Sequence, residues 1–154
     1  MHRAVLLTIF WLLAATSALA SDYERVTPDR LKEWLQQGSR VLIVDLQPND
    51  EFQERHFKGS AWVGPDPDKD RNSSARLAQF RKKAIRLQGK VVIVSRDGGD
   101  DAHQAAMRLS RRGIDRKRIF ILDGGIDSAG QGEGCACCRP GKDNNRKNVT
   151  QAFP

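Results

Sequence analysis

Several features are scarce in this sequence, and each scarcity excludes a class of protein. Beyond the first twenty residues there is no apolar run long enough to cross a bilayer, so a polytopic membrane protein is excluded. The 154 residues include three cysteines, all between positions 135 and 138. A disulfide framework that holds the whole fold together is therefore excluded, and we expect a domain that folds without its cysteines.

The first twenty residues have the pattern of a secretory signal peptide. Arg3 provides a short basic start, residues 4–15 are nearly all apolar, and Ala18-Leu19-Ala20 is a small-x-small cleavage site. We expect cleavage before Ser21 and export, with the periplasm as the destination. The alternative is a membrane anchor, but the apolar run is short for a span of about 20 residues. After cleavage we expect no stable membrane span.

Basic residues outnumber acidic ones, and the formal net charge is +7. They fall in short clusters at residues 81–83, 111–112, 116–118 and 146–147, and no aromatic side chains lie between them. Nucleic-acid interfaces combine cations with stacking aromatics. We therefore interpret the clusters as solvated helix faces and predict no nucleic-acid partner.

Apolar runs alternate with helical patterns from residue 27 to residue 122. Buried strands are predicted at residues 41–44, 91–94 and 119–122, with a shorter strand at 61–63. Helices are predicted at residues 27–38, 74–87 and 100–113, the last capped by Asp100 or Asp101, with a short helix capped by Asp50. Residues 21–26 are interpreted as a leader.

This alternation predicts a single α/β domain over residues 21–129, with a parallel sheet and helices on both faces. After Gly130 the sequence is rich in Gly, Lys, Asn and Arg and loses its periodicity. Residues 130–154 are therefore predicted to form a flexible, mostly disordered tail that carries a Cys-x-Cys-Cys cluster.

Three motifs occur in an order that resembles rhodanese-like domains over about residues 26–128. Val41-Leu-Ile-Val-Asp45 with Pro48, Glu51, Phe52 and the turn at residues 56–60 resembles their first signature. Val91-Val-Ile-Val-Ser95 and the loop after it resemble their active-site segment. Ile121-Leu-Asp-Gly-Gly-Ile126 resembles their closing signature. The resemblance implies the same α/β fold and a sulfurtransferase-like activity, in which a loop cysteine carries sulfur as a persulfide.

The departures from the family pattern bear directly on that activity. Ser95 stands where the family's enzymes have the nucleophilic cysteine, and Asp100 stands where the loop often ends in Arg. Gln47 replaces the usual Arg after the first strand, Arg55 replaces a Gly, and Ala129 replaces a Trp. A serine has no sulfur to offer and needs a base to act as a nucleophile. Ser95 at the nucleophile position is therefore predicted to be inactive.

The loop that follows, Arg96, Asp97, Gly98, Gly99 and Asp100, is the predicted substrate loop. With Asp101, it carries three carboxylates, which oppose an anionic sulfur donor. They are expected to cap the next helix, and a cation site is the alternative. A serine–histidine hydrolase is a further alternative, for which the chain after residue 20 offers only His56 and His103 as imidazole bases.

Four residues outside the loop are assigned structural roles. Asp45 and His56 are expected to tie a turn to the end of the first buried strand. Gly124 and Gly125 are expected to turn the chain sharply after the last strand.

Cys135, Cys137 and Cys138 are the remaining reactive candidates, with Arg139 and Lys142 nearby to favour thiolates. Three interpretations stay open. The cysteines form a local disulfide with one spare thiol, they bind Cu(I) or Zn²⁺, or they exchange sulfur in place of the missing loop cysteine. No cofactor is certain from the sequence.

The leading functional hypothesis is a sulfur-relay or thiol-redox accessory module of the cell envelope without the standard catalytic cysteine. One alternative is an active sulfurtransferase that uses the tail cysteines. The other is a protein that handles metal or docks a periplasmic protein partner. The sequence specifies no oligomeric state.

Overall fold

The computed structural model describes residues 23–129 and the backbone of residues 138–139. The strands are β1 Glu24–Val26, β2 Val41–Asp45, β3 His56–Phe57, β4 Ala61–Trp62, β5 Lys90–Val94, β6 Ile119–Leu122 and β7 Cys138–Arg139. The α-helices are α1 Pro28–Gln36, α2 Asn49–Glu54, α3 Arg71–Leu87, α4 Asp100–Arg111 and α5 Gly125–Ala129, and Arg116–Arg118 form one 3₁₀ turn.

Five strands form one parallel sheet in the order β1-β6-β5-β2-β4. The central strand β5 pairs along its whole length with β2, so that Val41 lies opposite Lys90 and Asp45 lies opposite Val94. Residues 91–94 and 119–122 are all buried, because helices cover both faces of the sheet. The ends of β2, β5 and β6 therefore meet at one carboxyl edge.

Two apolar clusters lie on opposite faces of the sheet. Helices α3 and α4 cover one face with residues such as Leu77, Phe80, Ala105 and Leu109. Helices α1 and α5 cover the other face, with Leu31, Trp34, Ile126 and Ala129. The predicted fold class, a single α/β domain with a parallel sheet and helices on both faces, is confirmed.

Two helix starts show how side chains set the boundaries. Thr27 caps α1 by accepting a hydrogen bond from the backbone N–H of Arg30, as the Thr-Pro pair predicted. Helix α3 begins at Arg71 and not at residue 74. Its cap is Asp70, whose carboxylate accepts a 2.6 Å hydrogen bond from the Ser73 N–H.

The predicted aspartate caps of two other helices are wrong. The residue before α4 is Gly99, and it makes no capping bond through a side chain; Asp100 lies inside the first turn. Pro48 likewise precedes α2, with Asp50 in the first turn. Carboxylates in a first turn interact favourably with the positive end of the helix dipole. The acidic residues at these helix starts are therefore stabilising although they are not the caps.

Two segments predicted to lack regular structure form strands. The predicted leader contains β1, whose residues 24–26 pair in parallel with residues 120–122. The predicted disordered tail contains β7, which pairs antiparallel with β3. The proposed signal peptide and the rest of the tail lie outside the described residues. Within residues 23–129, no helix has the length and apolar character needed to cross a membrane.

Candidate functional site

The loop after β5 encloses the side chain of Ser95 at the carboxyl edge of the sheet. Ser95 is 4% exposed, and its Oγ accepts a 3.0 Å hydrogen bond from the backbone N–H of Gly98. Gly98 has a φ of +72°, a conformation that glycine adopts without strain. The loop thus directs a backbone N–H at the position of the family's nucleophile, and in this chain that position holds a buried hydroxyl.

The loop is locked to the start of α5 through its carbonyl groups. The N–H of Ile126 donates to Ser95 O at 2.9 Å, and the N–H of Asp127 donates to Arg96 O at 3.1 Å. Gly125 has a φ of +59°, and a Cβ there would overlap the Arg96 carbonyl. The second glycine of the predicted turn is therefore required by close packing against the loop.

Gly124 has a φ of +64°, and a Cβ there would contact the side chain of Ser128. The Ser128 hydroxyl donates to the carbonyl of Asp123 at 2.6 Å, which closes the turn from β6 into α5. Gly124 therefore lies at a sharp turn, in the place where the sequence predicted one.

Two charged groups of the loop, those of Arg96 and Asp97, bind other groups of the protein. The Arg96 guanidinium pairs with the Glu51 carboxylate of α2. The Asp97 carboxylate accepts a 2.8 Å hydrogen bond from the Gly99 N–H. The amides of Gly98 and Gly99 therefore already donate to Ser95 and Asp97, and an anion entering the loop would meet a carboxylate.

Asp45 lies beside this loop, opposite the last residue of β5. Its carboxyl group is fully buried and accepts a 3.0 Å hydrogen bond from the backbone N–H of Gln47. Burial raises the pKa of Asp45 from 3.8 to about 7, and the hydrogen bond from Gln47 opposes that rise. Gln47 stands where the family pattern has an Arg, so a residue that would favour the ionised form has been replaced by a neutral amide.

The two predicted imidazole bases contact other groups. Nδ1 of His56 donates to the Phe52 carbonyl at 2.8 Å, and the His56 ring stacks on the Phe52 ring with centroids 4.2 Å apart. The ring of His103 packs edge-on against Tyr23. His56 therefore ties the turn after α2 to that helix, and its stacked ring supports a structural role.

Strand β3 links the tail to the loop. Arg55, which precedes β3, forms a 3.2 Å ion pair with Asp127, whose N–H bonds the loop carbonyl of Arg96. The backbone of β7 pairs with β3, so that Cys138 lies opposite Phe57. The structure therefore brings one tail cysteine position to the segment that is tied to the Ser95 loop.

The other two tail cysteines, Cys135 and Cys137, lie outside the described residues, and of Cys138 the backbone alone is described. The predicted metal site at these cysteines is accordingly untested. Within residues 23–129, no group of three or more His, Cys, Asp or Glu side chains is arranged to hold a metal ion. Asp97, Asp100 and Asp101 are among these residues, and they form no such group.

Sequence reasoning missed the two ion pairs that fasten the site, Arg96 with Glu51 and Arg55 with Asp127. Their partners are separated by 45 and 72 positions along the chain. A sequence signal did exist for one of them. Arg55 departs from the glycine of the family pattern, and it supplies the cation that reaches Asp127.

Comparison with solved structures identifies the fold. The chain matches a thiosulfate sulfurtransferase from Pseudomonas aeruginosa with a TM-score of 0.51 and 21% identity, over 70% of this chain and 18% of that chain. It thus spans less than a fifth of that protein. A protein from Staphylococcus saprophyticus subsp. saprophyticus matches with a TM-score of 0.50 and 19% identity, over 70% of this chain and 93% of that one.

A third structure, of a Bacillus halodurans protein, matches with a TM-score of 0.50 and 17% identity over 70% of this chain and 71% of that one. Among proteins of curated function, no relative is found. The family model described as the rhodanese-like domain matches residues 27–130, which is more than half of the chain. With its parallel sheet, its loop after β5 and its closing Gly-Gly turn, the chain belongs to the rhodanese-like domain family.

Proposed function

We propose that this protein is an exported accessory module of the cell envelope that relays sulfur or exchanges thiols. In this proposal the tail cysteines Cys135, Cys137 and Cys138 carry the chemistry, and Ser95 does not. Membership of the rhodanese-like family supports a sulfurtransferase-like fold. The buried hydroxyl at the nucleophile position supports moving the sulfur chemistry elsewhere, because an alcohol cannot form a persulfide.

The observation that carries the proposal is the pairing of β7 with β3. It supports a tail that returns to the carboxyl edge, since Cys138 lies opposite Phe57 in this pair. The neighbouring Arg55 contacts Asp127, and Asp127 contacts the loop. A sulfur-bearing partner that docks at the Ser95 edge would then meet the backbone segment that contains Cys138.

The proposed step conserves atoms and electrons. A tail thiolate attacks the terminal sulfur of a partner's persulfide, forms a new S–S bond, and breaks the S–S bond of the donor. The donor leaves as a thiolate, and the tail cysteine becomes the persulfide. No external oxidant is required, because the exchange only moves sulfane sulfur between thiols.

The charge of the site favours a thiol-bound donor over a small anion. Asp97, Asp100 and Asp101 are exposed at the loop and at the start of α4. A doubly charged donor such as thiosulfate would be repelled by these carboxylates. A persulfide on a protein partner with a basic surface would instead be attracted to them.

Sulfur loading of the purified exported protein tests the proposal. The protein is incubated with inorganic polysulfide, and its intact mass is measured before and after reductant, with peptide mapping of the adducts. We expect reductant-sensitive mass increments of one sulfur atom on the peptide that contains residues 135–138, in the unchanged protein and in Ser95→Ala. The variant with all three tail cysteines changed to serine should take up none.

Two results would overturn the proposal. One is sulfur uptake or thiosulfate cleavage that survives in the variant without tail cysteines. The other is a tail that takes up no sulfur after reduction, whether native mass spectrometry finds copper or zinc bound to it stoichiometrically or finds a stable disulfide.

A further inference from the structure

We propose that this protein docks on anionic phospholipid bilayers through one basic face, independently of any chemistry at the tail. The basic face consists of residues 81–86 at the end of α3, residues 111–112 at the end of α4, and the 3₁₀ turn Arg116–Arg118. The clusters are separate in the sequence, where they suggest only solvated helices. The fold brings them together at the amino edge of the sheet.

Direct hydrogen bonds join the three clusters. Arg81 donates from Nη1 to the Arg112 carbonyl at 3.0 Å, which joins the ends of α3 and α4. Arg118 donates to Ala84 O and to Gln88 Oε1, both at 2.9 Å, which joins the 3₁₀ turn to the end of α3. The cationic side chains thus belong to one continuous surface and not to separate helices.

The end of α3 carries no carboxylate of its own, although Asp68 lines a surface cleft together with Arg111 and Arg112. From Arg71 through Arg96 the sequence contains no Asp or Glu. Asp115 precedes the 3₁₀ turn, and its carboxylate accepts a hydrogen bond from the Lys117 N–H. The pKa of Lys83 is lowered, first by burial and then by the positive charge of Arg86. Lys82, Lys83 and Arg86 lie within two turns of α3, and an anionic partner would reduce the repulsion between their charges.

The apolar content of the face favours a bilayer over a nucleic acid. Ile85 is 37% exposed, more than any other large hydrophobic side chain among the described residues. It lies between Lys82 and Arg86, which are both exposed. An apolar side chain surrounded by cations suits the interface between headgroups and acyl chains. A single-stranded nucleic acid would need exposed aromatics for base stacking, but Trp34 and Phe120 near this edge are buried. A duplex is bound through its phosphates, and the apolar side chain of Ile85 would add nothing to that contact.

Binding to a bilayer through the basic face would leave the opposite, carboxyl edge of the sheet accessible. Helix α3 ends at Leu87 and strand β5 begins at Lys90, so the basic face lies beside the amino ends of the strands. Ser95 and strand β3 lie at the carboxyl edge. A molecule held on a bilayer by its basic face would therefore present the Ser95 loop and β7 to the aqueous phase.

Vesicle co-sedimentation tests the proposal with the full-length mature protein. One set of vesicles contains phosphatidylglycerol and phosphatidylcholine, and the other contains phosphatidylcholine alone. We expect binding to the anionic vesicles only, weakening as salt rises. The double variant Lys82→Gln/Arg86→Gln should bind about thirtyfold more weakly, since each cation near an anionic surface contributes about a fivefold factor. Ile85→Ser should weaken binding several-fold while keeping its dependence on salt.

The matched control is Lys32→Gln/Lys58→Gln, which removes the same charge from other parts of the surface, and it should bind as the unchanged protein does. Thermal melts establish that each variant is folded. Equal loss of binding in the two double variants, or equal binding to neutral vesicles, would overturn the proposal. So would tighter binding to duplex DNA than to anionic vesicles, because the face would then belong to a nucleic-acid interface.

Discussion

The Gly98 N–H donates to the Oγ of Ser95 at 3.0 Å, so the loop of this protein is built around a hydroxyl that it holds in place. The enzymes of the rhodanese-like family have a cysteine thiol at the position of Ser95. The bond keeps the shape of the loop and satisfies a buried N–H group. Removing the hydroxyl would leave that N–H without its partner, at a cost of about 1–3 kcal/mol.

A cysteine at position 95 tests whether the missing thiol alone prevents cleavage of thiosulfate or whether the loop carboxylates also oppose it. Ser95→Cys is made in a background in which the three tail cysteines are serine. We expect weak cleavage of thiosulfate, because Asp97 and Asp100 are exposed beside the entrance and repel the dianion. Adding Asp97→Asn and Asp100→Asn should raise the rate by about tenfold, as expected for removing two like charges at short range.

The control for charge is Glu24→Gln/Asp29→Asn in the same Ser95→Cys background, which removes two exposed carboxylates of β1 and α1. It should leave the rate nearly unchanged. Full activity of Ser95→Cys alone would show that the loop carboxylates do not oppose an anionic donor.

The contact between Gly125 and the loop predicts a large cost for a single methyl group. Gly125→Ala adds a Cβ that overlaps the Arg96 carbonyl and forces alanine to a φ of +59°. Gly38→Ala provides the control, because Gly38 has a φ of +69° and open space around the added Cβ. Urea unfolding should show a loss of about 1 kcal/mol for Gly38→Ala and at least twice that loss for Gly125→Ala. Equal losses would mean that the loop and α5 are not interlocked.

The buried carboxyl group of Asp45 predicts that stability falls as the pH rises. Its pKa is about 7 in the folded protein and near 3.8 without the fold. Between these values the unfolded chain binds fewer protons than the folded one, so the free energy of unfolding decreases as pH rises from about 4 to about 7. The decrease attributable to Asp45 is at most about 4 kcal/mol.

Asp45→Asn removes the titrating group while preserving the size of the side chain. Its free energy of unfolding, measured in urea from pH 4.5 to 8, should decline less steeply than that of the unchanged protein. Parallel pH profiles would show that Asp45 is ionised in the folded protein throughout this range.

The sequence predicted the parts of the fold that depend on continuous local patterns. Residues 91–94 and 119–122 are apolar without interruption, and both form buried parallel strands. Thr27 and Pro28 marked the start of α1 because capping is a local interaction. The start of α3 was missed, since Asp70 lies in a polar stretch that is typical of a loop until its bond to Ser73 is known.

The parts that depend on distant pairing could not be predicted. Strand β1 has three residues and becomes regular only by pairing with β6, and β3 and β7 have two residues each. In the site, the sequence identified Ser95, the loop and the Gly-Gly turn. It predicted the wrong cap for α4 because Asp100 and Asp101 have strong capping propensity, while the chain enters that helix through Gly99. No local sequence pattern predicts the ion pair between Arg96 and Glu51, because the two residues lie far apart in the sequence.

The pairing of β7 with β3 predicts protection of backbone amides. Hydrogen–deuterium exchange of peptides that cover residues 55–58 should be slow in the unchanged protein and faster after deletion of residues 130–154. Peptides from β5, which is buried at the centre of the sheet, should exchange equally slowly in both proteins and serve as the control. Unchanged exchange at residues 55–58 would contradict the pairing.

The rate of sulfur transfer tests most directly the claim that the tail and not Ser95 carries the chemistry. Persulfide is loaded on a donor thiol, and its transfer through this protein to an acceptor thiol is timed for three proteins: unchanged, Ser95→Ala, and the variant with Cys135, Cys137 and Cys138 all replaced by serine. We predict that Ser95→Ala transfers sulfur within about twofold of the unchanged rate, provided that it remains folded despite the lost hydrogen bond. The serine-tail variant should not accelerate transfer at all. Transfer that stops in folded Ser95→Ala, or that persists without the tail cysteines, would contradict the account.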